Sequence, residues 1–460
     1  MASPVTFDIP HSLTKDEVRR RFEAGIPHLP VPGGGTVEAT WPEPYRADMS
    51  IKTFGQTLNV ELAVQEAAVE VQVFVPAVLV PMSDAVTGFV RQGVEQMLTG
   101  PHVQAAQPLE QSAPSQELQA ASGEIPAEAR RVHDAAIIVD AVCPLSSDGD
   151  HLDRYRNGGV TVVTPTIAAG GDTAVTTFKK LAFWQNLLKS RPELLEIRTA
   201  ADIRTAKESG RLGILLAFQG ADAIEDDLEL IDAYKQSGVG IIQLTYNRPN
   251  LLGSGCEVAN DEGLTEFGRK AVARMNEARV IVDCSHTGYR TTLDAIAASS
   301  APVIFTHANP YAVHPIRRNI KDEHIKAAAA TGGVIGVAGY PPFVSNKTKS
   351  SLDDLIAHIT HIAELVGVDH VGLGLDYFTG QDGIMPIAQA MATYDFLIKA
   401  GVWSADNYSP PPYFYPEGIE TPDKLGNLTA GLLKRGFSEV DVTKILGGNW
   451  LRVFEVVWGA

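Results

Sequence analysis

Polar residues able to bind a metal or move a proton stand at the ends of several apolar runs in the second part of the chain. His286 and His307 end two successive runs, and neighbouring strands of a sheet lie about 4.8 Å apart. The two imidazoles can therefore aim at one point, where the carboxylate of Asp376 completes a ligand set suited to zinc. Either histidine alone would serve equally well as a cap or as a satisfied hydrogen-bonding group. The residues at these run ends are Gln219, Tyr246, His286, His307, Tyr340 and Asp376.

The runs themselves are too continuously apolar for strands with one solvated face, and helical stretches such as DLELIDAYKQSG separate most of them. This alternation is typical of parallel strands joined by helices. Eight runs predict a (β/α)8 barrel with its working residues at the C-terminal strand ends. An open doubly wound sheet is the alternative, although no GxGxxG motif follows the first run. The runs are AAIIVDAV, GVTVVTPTI, LGILLAFQG, VGIIQLTYN, VIVDCSHTG, PVIFTHAN, GGVIGVAGY and HVGLGLDYF.

The first hundred residues follow a different pattern. A helix capped by Ser12, four alternating segments (TVEATW, ADMSIKTFG, TLNVELAVQ and AAVEVQVFVP) and a closing amphipathic helix predict a small α+β domain with an antiparallel sheet. A stretch rich in Gln, Ala, Ser and Pro then has the composition of a linker. We predict a first domain over 1–100, a flexible linker over 101–127 and the barrel over 128–460.

Composition narrows the classes of partner. An apolar fraction of 45% supports a packed core, and a formal net charge of −17 disfavours nucleic acid. Three widely spaced cysteines indicate buried thiols in a reducing compartment. The amino terminus reaches charged residues before any apolar run, and no segment has the roughly 20 apolar residues of a membrane helix. We expect a cytoplasmic protein without membrane insertion.

Several motifs resemble known families. DCSHTGYRTTLDAI, SSAPVIFTHANPYAVHP, RRNIKDEHIKAAAATGGVIGV, GLGLDYFTG and GGNWLRVF resemble, in order and spacing, the membrane (renal) dipeptidase family of the amidohydrolase superfamily over about 132–454. The resemblance implies a (β/α)8 fold whose active members hold two zinc ions and hydrolyse dipeptides with a free carboxylate. The opening IPHSLTKDEVRRRFE and the segment GQTLNVEL resemble the small polyhydroxyalkanoate granule-region proteins, which implies no known reaction.

The resemblance assigns roles to individual residues. His286 and His307 match the two histidines of the second zinc. Asp376 matches the aspartate that ligates the first zinc and handles the proton of the attacking water. Arg318 matches the receptor of the substrate carboxylate, a task suited to a bidentate guanidinium, and Tyr340 matches a tyrosine that assists it. As a surface residue of a charged loop, Arg318 would have no such role.

Other positions depart from the family. The DGHND stretch of active members, which supplies a His-x-Asp pair to the first zinc, is replaced by DAVCP at 140–144, and the bridging glutamate is Gln219. A neutral amide offers one oxygen and cannot replace a bridging carboxylate. Tyr246 stands where active members place a histidine that touches the substrate carbonyl. His151 and Asp153 have His-x-Asp spacing, but HLDRYRNGGV matches a stretch that members with intact ligands also carry, so we expect local packing there.

Two classes of function remain open. One is a dipeptidase-like hydrolase with a degenerate site and one zinc, in which Asp376 or Gln219 and water complete the shell of the two histidines. Asp140 and Cys143 are the nearer candidates for a substitute ligand, although a buried core thiol is the favoured role of Cys143. The other class is a non-hydrolytic enzyme or an inactive protein that binds a dipeptide-like ligand. Family members are often dimers, which leaves a homodimer open.

Overall fold

The computed structural model describes residues 4–31, 35–53, 56–75, 83–99, 125–381 and 384–459. The described residues form two compact units. The first comprises those of Met1–Ala121, Thr379–Trp403 and Pro410–Pro412, and the second those of Ser122–Phe378, Ser404–Ser409 and Tyr413–Ala460. Residues 101–124 of the predicted linker lie outside the described residues, and the predicted domain boundaries stay a prediction.

The strands comprise one antiparallel group near the amino terminus and a longer series of short parallel strands. They are β1 Val5–Pro10, β2 Thr36–Glu43, β3 Arg46–Thr53, β4 Gln56–Val64, β5 Ala68–Phe74, β6 Val139–Asp140, β7 Val162–Val163, β8 Thr166–Ala169, β9 Leu194–Glu196, β10 Leu212–Ile214, β11 Leu216–Gln219, β12 Val239–Gln243, β13 Ile281–Asp283, β14 Val303–Ile304, β15 Ile335–Val337 and β16 Val371–Leu373.

The helices mostly follow the parallel strands along the chain. They are α1 Lys15–Gly25, α2 Ser83–Thr99, α3 Ala127–Ala135, α4 Leu152–Asn157, α5 Ala174–Ser190, α6 Ala200–Ser209, α7 Glu229–Gln236, α8 Glu266–Glu277, α9 Tyr289–Ala298, α10 Asp322–Ala330, α11 Pro341–Val344, α12 Leu352–Val366, α13 Ile387–Lys399, α14 Gly426–Arg435, α15 Glu439–Thr443 and α16 Asn449–Trp458. Within the described ranges, none of these helices has the length and apolar character needed to cross a membrane.

The first unit is built on the predicted antiparallel sheet, with strand order β1-β5-β4-β3-β2. Alternate residues of β5 point inward, and Val69, Val71 and Val73 are completely buried in the core beneath α1 and α2. Phe396 of α13 belongs to the same core, which explains why this late helix groups with the first unit. The cap of α1 is Thr14 and not Ser12, because the Thr14 hydroxyl accepts the N–H of Glu17 at 3.3 Å.

The second unit is a mixed α/β fold in which each of the eight apolar runs contributes a strand. Two of its parallel sheets have the orders β6-β7-β10-β9 and β14-β13-β12-β11-β8, and β15 pairs with β16. Single backbone contacts link these groups. Phe305, after β14, bridges Ile335 of β15, and the N–H of Ala141, after β6, donates to the carbonyl of Leu373 in β16 at 3.1 Å. The strand ends that carry the polar residues therefore belong to one continuous arrangement.

Candidate active site

A pair of buried histidines stands where β13 and β14 end. His286 follows β13 by three residues and is 4% exposed, while His307 follows β14 by the same number and is fully buried. The Nε2 atoms of the two rings lie 2.8 Å apart, and the ring centroids are separated by 4.8 Å. The predicted convergence of these two residues on one point is therefore present in the structure.

The Nδ1 atom of each ring is held by a neighbour. The hydroxyl of Thr306 donates to the carboxylate of Asp283 at 2.5 Å, so at 2.8 Å it accepts the Nδ1–H of His307. In the other ring, Nδ1 of His286 lies 2.7 Å from Oδ1 of Asn247, which can only accept. Both rings thus carry their proton on Nδ1, and both Nε2 atoms present a lone pair to the space between them.

Two facing lone pairs at 2.8 Å repel each other unless a cation or a proton lies between them. A proton is disfavoured, because burial and then the charge of Arg318 lower the pKa of both histidines well below the ordinary value. Zinc binds imidazole nitrogen at about 2.0 Å. Histidines that bind zinc are neutral and usually donate the N–H of their other ring nitrogen to a fixed acceptor, as both rings do here. The histidine pair therefore fits a metal ion.

The backbone at this rim is strained at three non-glycine positions. Asn247, His286 and Asp376 have φ angles of 55°, 57° and 57°. The left-handed conformation costs an ordinary residue about 1 kcal/mol or more and is concentrated at functional sites, where it directs a side chain that a regular strand could not. It is found here in each of the segments that follow β12, β13 and β16.

Arg318 is 2% exposed, although arginine is almost never buried without a partner. Its Nη2 donates to the carbonyl of His307 at 2.8 Å, and its guanidinium lies 4.9 Å from the centre of the Phe343 ring. Its Nε has no hydrogen-bond partner among the described residues. A buried guanidinium with donor capacity to spare, next to the histidine pair, suits an anionic ligand.

Two buried carboxyl groups, Asp376 and Asp140, influence each other, and Asp376 is also influenced by the charge of Arg318. Burial raises the pKa of Asp376 to about 8, while Arg318 lowers it and Asp140 raises it further. Burial also raises the pKa of Asp140 to about 7. Asp140 Oδ1 accepts the N–H of Leu375 at 2.7 Å, and the thiol of Cys143 donates to the Asp140 carbonyl at 3.5 Å. Asp140 and Cys143 are thus engaged locally at the end of β6, and burial raises the pKa of the Cys143 thiol well above its usual value.

The remaining predicted residues line the same region. Gln219 ends β11 and is 9% exposed, and its Nε2 has no hydrogen-bond partner in the described part of the chain. Tyr246 stacks on His286 with ring centroids 4.2 Å apart. Tyr340 is buried against other aromatic rings, with centroids 4.9 Å from Phe343 and 5.0 Å from Tyr413. The roles predicted for these three residues stay predictions.

The expected set of three metal ligands is not formed. Over the described residues, no group of three or more His, Cys, Asp or Glu side chains is placed to hold a metal ion, so Asp376 does not join the histidine pair. The two Nε2 atoms contact each other directly instead. At the first-metal position the strand end carries Val142 and Cys143, both buried, and Val142 and Pro144 stand in place of the histidine and aspartate expected in active members.

Asn247 and Tyr408 belong to the site and were not predicted. Asn247 follows β12 and contacts Nδ1 of His286 through its side-chain oxygen. The sequence signal is an asparagine just after a strand, because asparagine tolerates the left-handed conformation found there. The Tyr408 hydroxyl lies 3.0 Å from Asn247 Nδ2 and 3.5 Å from His286 Nδ1. No local pattern marks Tyr408. Of the pair with His-x-Asp spacing, Asp153 is largely exposed and forms an ion pair with Arg156, and His151 makes no side-chain cap to the described residues at the start of α4.

Parallel strands thus end in a convergent histidine pair, with a buried arginine beside it. The model of the family described as membrane dipeptidase (Peptidase family M19) matches residues 129–401 and 412–458, and the chain belongs to this family. The predicted resemblance is therefore confirmed for the second domain, and family membership indicates metal dependence. The resemblance of the first hundred residues to granule-region proteins stays a prediction.

Individual relatives agree with the family assignment. Dipeptidase tcpJ of Claviceps purpurea (strain 20.1) is 28% identical to this chain over 286 residues. The match covers 61% of this chain and 60% of the relative's length. An amidohydrolase from Pseudomonas aeruginosa shares 33% identity over 72% of this chain and 99% of its own, with a TM-score of 0.65. A metallopeptidase from Rhodobacter sphaeroides, liganded with a phosphinate mimic of L-Ala-D-Ala, shares the fold at 22% identity, 70% and 100% coverage and a TM-score of 0.57.

Proposed function

We propose that this chain is a dipeptidase-family protein with a degenerate site that holds one zinc ion and acts on, or binds, a small amide with a free carboxylate. The observation that carries the proposal is the pair of Nε2 atoms of His286 and His307, which lie 2.8 Å apart beside the buried Arg318. Such a pair suits one cation, and the neighbouring guanidinium suits one carboxylate.

The strand arrangement that carries this site is proposed to be a closed (β/α)8 barrel. The contacts Phe305 to Ile335 and Ala141 to Leu373 support closure, because they join the three parallel sheets end to end. The fold shared with the solved relatives supports it as well. Three predictions from the sequence are kept as proposals: a cytoplasmic location, a homodimer, and the resemblance of the first domain to granule-region proteins.

In this proposal each residue has a task that follows from its surroundings. Arg318 anchors the carboxylate of the ligand, and Tyr340 packs beside it. Burial raises the pKa of Asp376 to about 8, so a minor fraction of this carboxyl is ionised at neutral pH. In that fraction the carboxylate accepts a proton from the attacking water and returns it to the leaving amine. Tyr246 covers one face of His286 and excludes water from it. When bound, the ion would supply Lewis-acid polarisation of the amide carbonyl.

A second candidate is a protein that binds such ligands without hydrolysing them. Gln219 supports it, because a neutral amide at the bridging position removes a charge that hydrolysis by two metals requires. Val142 in place of the histidine of the first-metal pair supports it too. Both candidates predict carboxylate binding, and they differ in turnover.

Metal content and ligand protection test the proposal together. We expect one zinc per chain by elemental analysis, lost in His286→Ala and His307→Ala. Simple dipeptides should turn over slowly or not at all, while a dipeptide or an N-acyl amino acid should raise the melting temperature. Arg318→Ala should abolish that protection, whereas the exposed neighbour Arg317→Ala should keep it. Two fully occupied metals or rapid dipeptide hydrolysis would refute the reduced site.

Restoring the missing ligands is the complementary experiment. Gln219→Glu combined with Val142→His and Pro144→Asp rebuilds the bridge and the first-metal pair of active members. We expect two metals per chain and the appearance of dipeptide hydrolysis in a background that lacks it. A triple variant that folds, binds two metals and stays inert would favour the binding protein over the hydrolase.

A further inference from the structure

Asn247 is tied to its neighbours from three directions. It follows β12, is completely buried and has a positive φ of 55°. Its backbone carbonyl accepts the N–H of Glu257 at 2.9 Å, which fixes the backbone. Its side-chain Oδ1 lies 2.7 Å from Nδ1 of His286 and 3.2 Å from the thiol of Cys256. Both of these groups can donate, so the amide oxygen faces His286.

Tyr408 reaches the same amide from a distant part of the chain. Tyr408 is 2% exposed. Its hydroxyl lies 3.0 Å from Asn247 Nδ2 and 3.3 Å from Asn247 Oδ1. The preceding residue fastens the segment, since Asn407 Nδ2 donates to Glu257 at 2.7 Å. Asn407 and Tyr408 both lie within 402–411, the stretch that the family model does not match.

An asparagine amide can present either its oxygen or its NH₂ group to a neighbour, and only the oxygen accepts a proton. With the Tyr408 hydroxyl accepting the Nδ2–H, the oxygen is directed to His286. His286 must then donate from Nδ1 and keep Nε2 unprotonated. If the amide turned over, its NH₂ group would face Nδ1, and the ring would have to move its proton to Nε2, where it would block a metal.

We propose that Asn247 and Tyr408 are positioning residues that hold His286 as the Nδ1–H tautomer and so keep its Nε2 free to bind zinc. The inference rests on the proposed function, in which the histidine pair holds the ion. His307 obtains the same orientation from Thr306 and Asp283, both of them at the ends of barrel strands. The orientation of His286 depends instead on Tyr408, in the segment 402–411 that the family model does not match. In the proposed function the site has also lost family ligands at other positions.

Zinc affinity tests the inference through a pair of coupled variants. Removal of such outer partners typically weakens metal binding about 10- to 100-fold, so we expect losses in this range for Asn247→Leu and for Tyr408→Phe, measured by competition with a chromophoric chelator. Asn247→Asp should bind zinc at least as tightly as the wild type, because both carboxylate oxygens accept. In that background Tyr408→Phe should cost less than threefold, since no amide needs to be oriented.

Tyr234→Phe is the matched control. The Tyr234 hydroxyl is buried in the same unit and donates to the carbonyl of Ala223 at 2.6 Å, so its removal costs a buried hydrogen bond away from the histidines. Zinc affinity should not change. An equal loss in Tyr234→Phe and Tyr408→Phe, an unchanged affinity in Tyr408→Phe, or an equal effect of Tyr408→Phe in the Asn247→Asp background would each overturn the positioning role.

Imidazole nitrogen shifts separate this inference from the proposed function. In zinc-free protein labelled with ¹⁵N-histidine, the His286 signals, identified by their loss in His286→Ala, should report a proton on Nδ1. Tyr408→Phe should give a mixture of the two tautomers. If the wild type binds no zinc, the proposed function falls, and these shifts still decide the positioning role. A wild-type His286 protonated on Nε2 would refute it.

Discussion

Replacing Asp140 with asparagine should change how the stability of the chain depends on pH. The Asp140 side chain is 1% exposed, and its Oδ1 accepts the N–H of Leu375 at 2.7 Å. Oδ2 is buried without a hydrogen-bond partner among the described residues. Burial raises the pKa of this carboxyl from 3.8 to about 7, against smaller opposing effects of the Leu375 N–H and Cys143.

The sign and size of the effect follow from this shift. A carboxyl whose pKa is raised in the folded state binds more protons there than in the unfolded chain, so its contribution to stability is present below about pH 4 and is lost as the pH rises to about 7. A shift of about 3 units corresponds to at most about 4 kcal/mol. Asparagine cannot titrate, and it also removes the charge that raises the pKa of Asp376, so both effects make the wild type lose more stability than the variant as the pH rises.

The measurement is urea unfolding of zinc-free protein at intervals between about pH 4 and pH 8. The free energy of unfolding of the wild type, relative to Asp140→Asn, should fall by about 2–4 kcal/mol over this range. The exposed Asp226→Asn serves as the control, and its curve should run parallel to that of the wild type. If the Asp140→Asn curve also runs parallel to the wild type, Asp140 is already ionised in the folded chain and the reasoning fails.

Two further predictions concern stability away from the site. Burial lowers the pKa of His358 to about 4, so the unfolded chain binds an extra proton between about pH 6.5 and pH 4, and His358→Gln should remove up to about 3 kcal/mol of acid destabilisation. Thermal melts across this range measure how the melting temperature changes with pH. If His358 does not contribute, the wild type and the variant will show the same pH dependence. Thr199→Ala should lower the free energy of unfolding by about 1 kcal/mol, because the Thr199 hydroxyl caps α6 by accepting the N–H of Asp202 at 3.3 Å. An unchanged urea midpoint would show that the cap contributes nothing.

In the second unit, the sequence predicted the strands whose burial is complete. All eight apolar runs of the second unit contain a strand, because a strand covered on both faces must be apolar throughout. The strands β1 and β9 were missed. Only Ile9 is buried among the six residues of β1, and only Leu194 among the three of β9, so neither leaves an alternating pattern. Edge strands of this kind are held by backbone pairing, which side-chain types record poorly.

The site was predictable to the extent that it lies on successive strand ends. His286 and His307 meet because parallel strands bring equivalent positions together. Tyr408 could not be found this way, since it lies 161 residues after Asn247 along the chain and no periodicity relates the two. Asp376 was expected as a third ligand because it follows the last strand and matches a family ligand. Whether its side chain reaches the histidines depends on packing at the rim, which the order of the strands does not record.

The hydrogen bond between Asp140 and Leu375 joins residues 235 positions apart, which has a consequence for synthesis of the chain. At roughly 5–20 residues per second, a ribosome that has made Asp140 needs on the order of 10–50 s to reach Leu375. Throughout that interval the first strand of the second unit has no neighbour on one side, and its carboxyl group remains hydrated and charged. The unfinished sheet of the nascent chain is therefore exposed to aggregation until the last strand emerges, and chaperones bind intermediates of this kind.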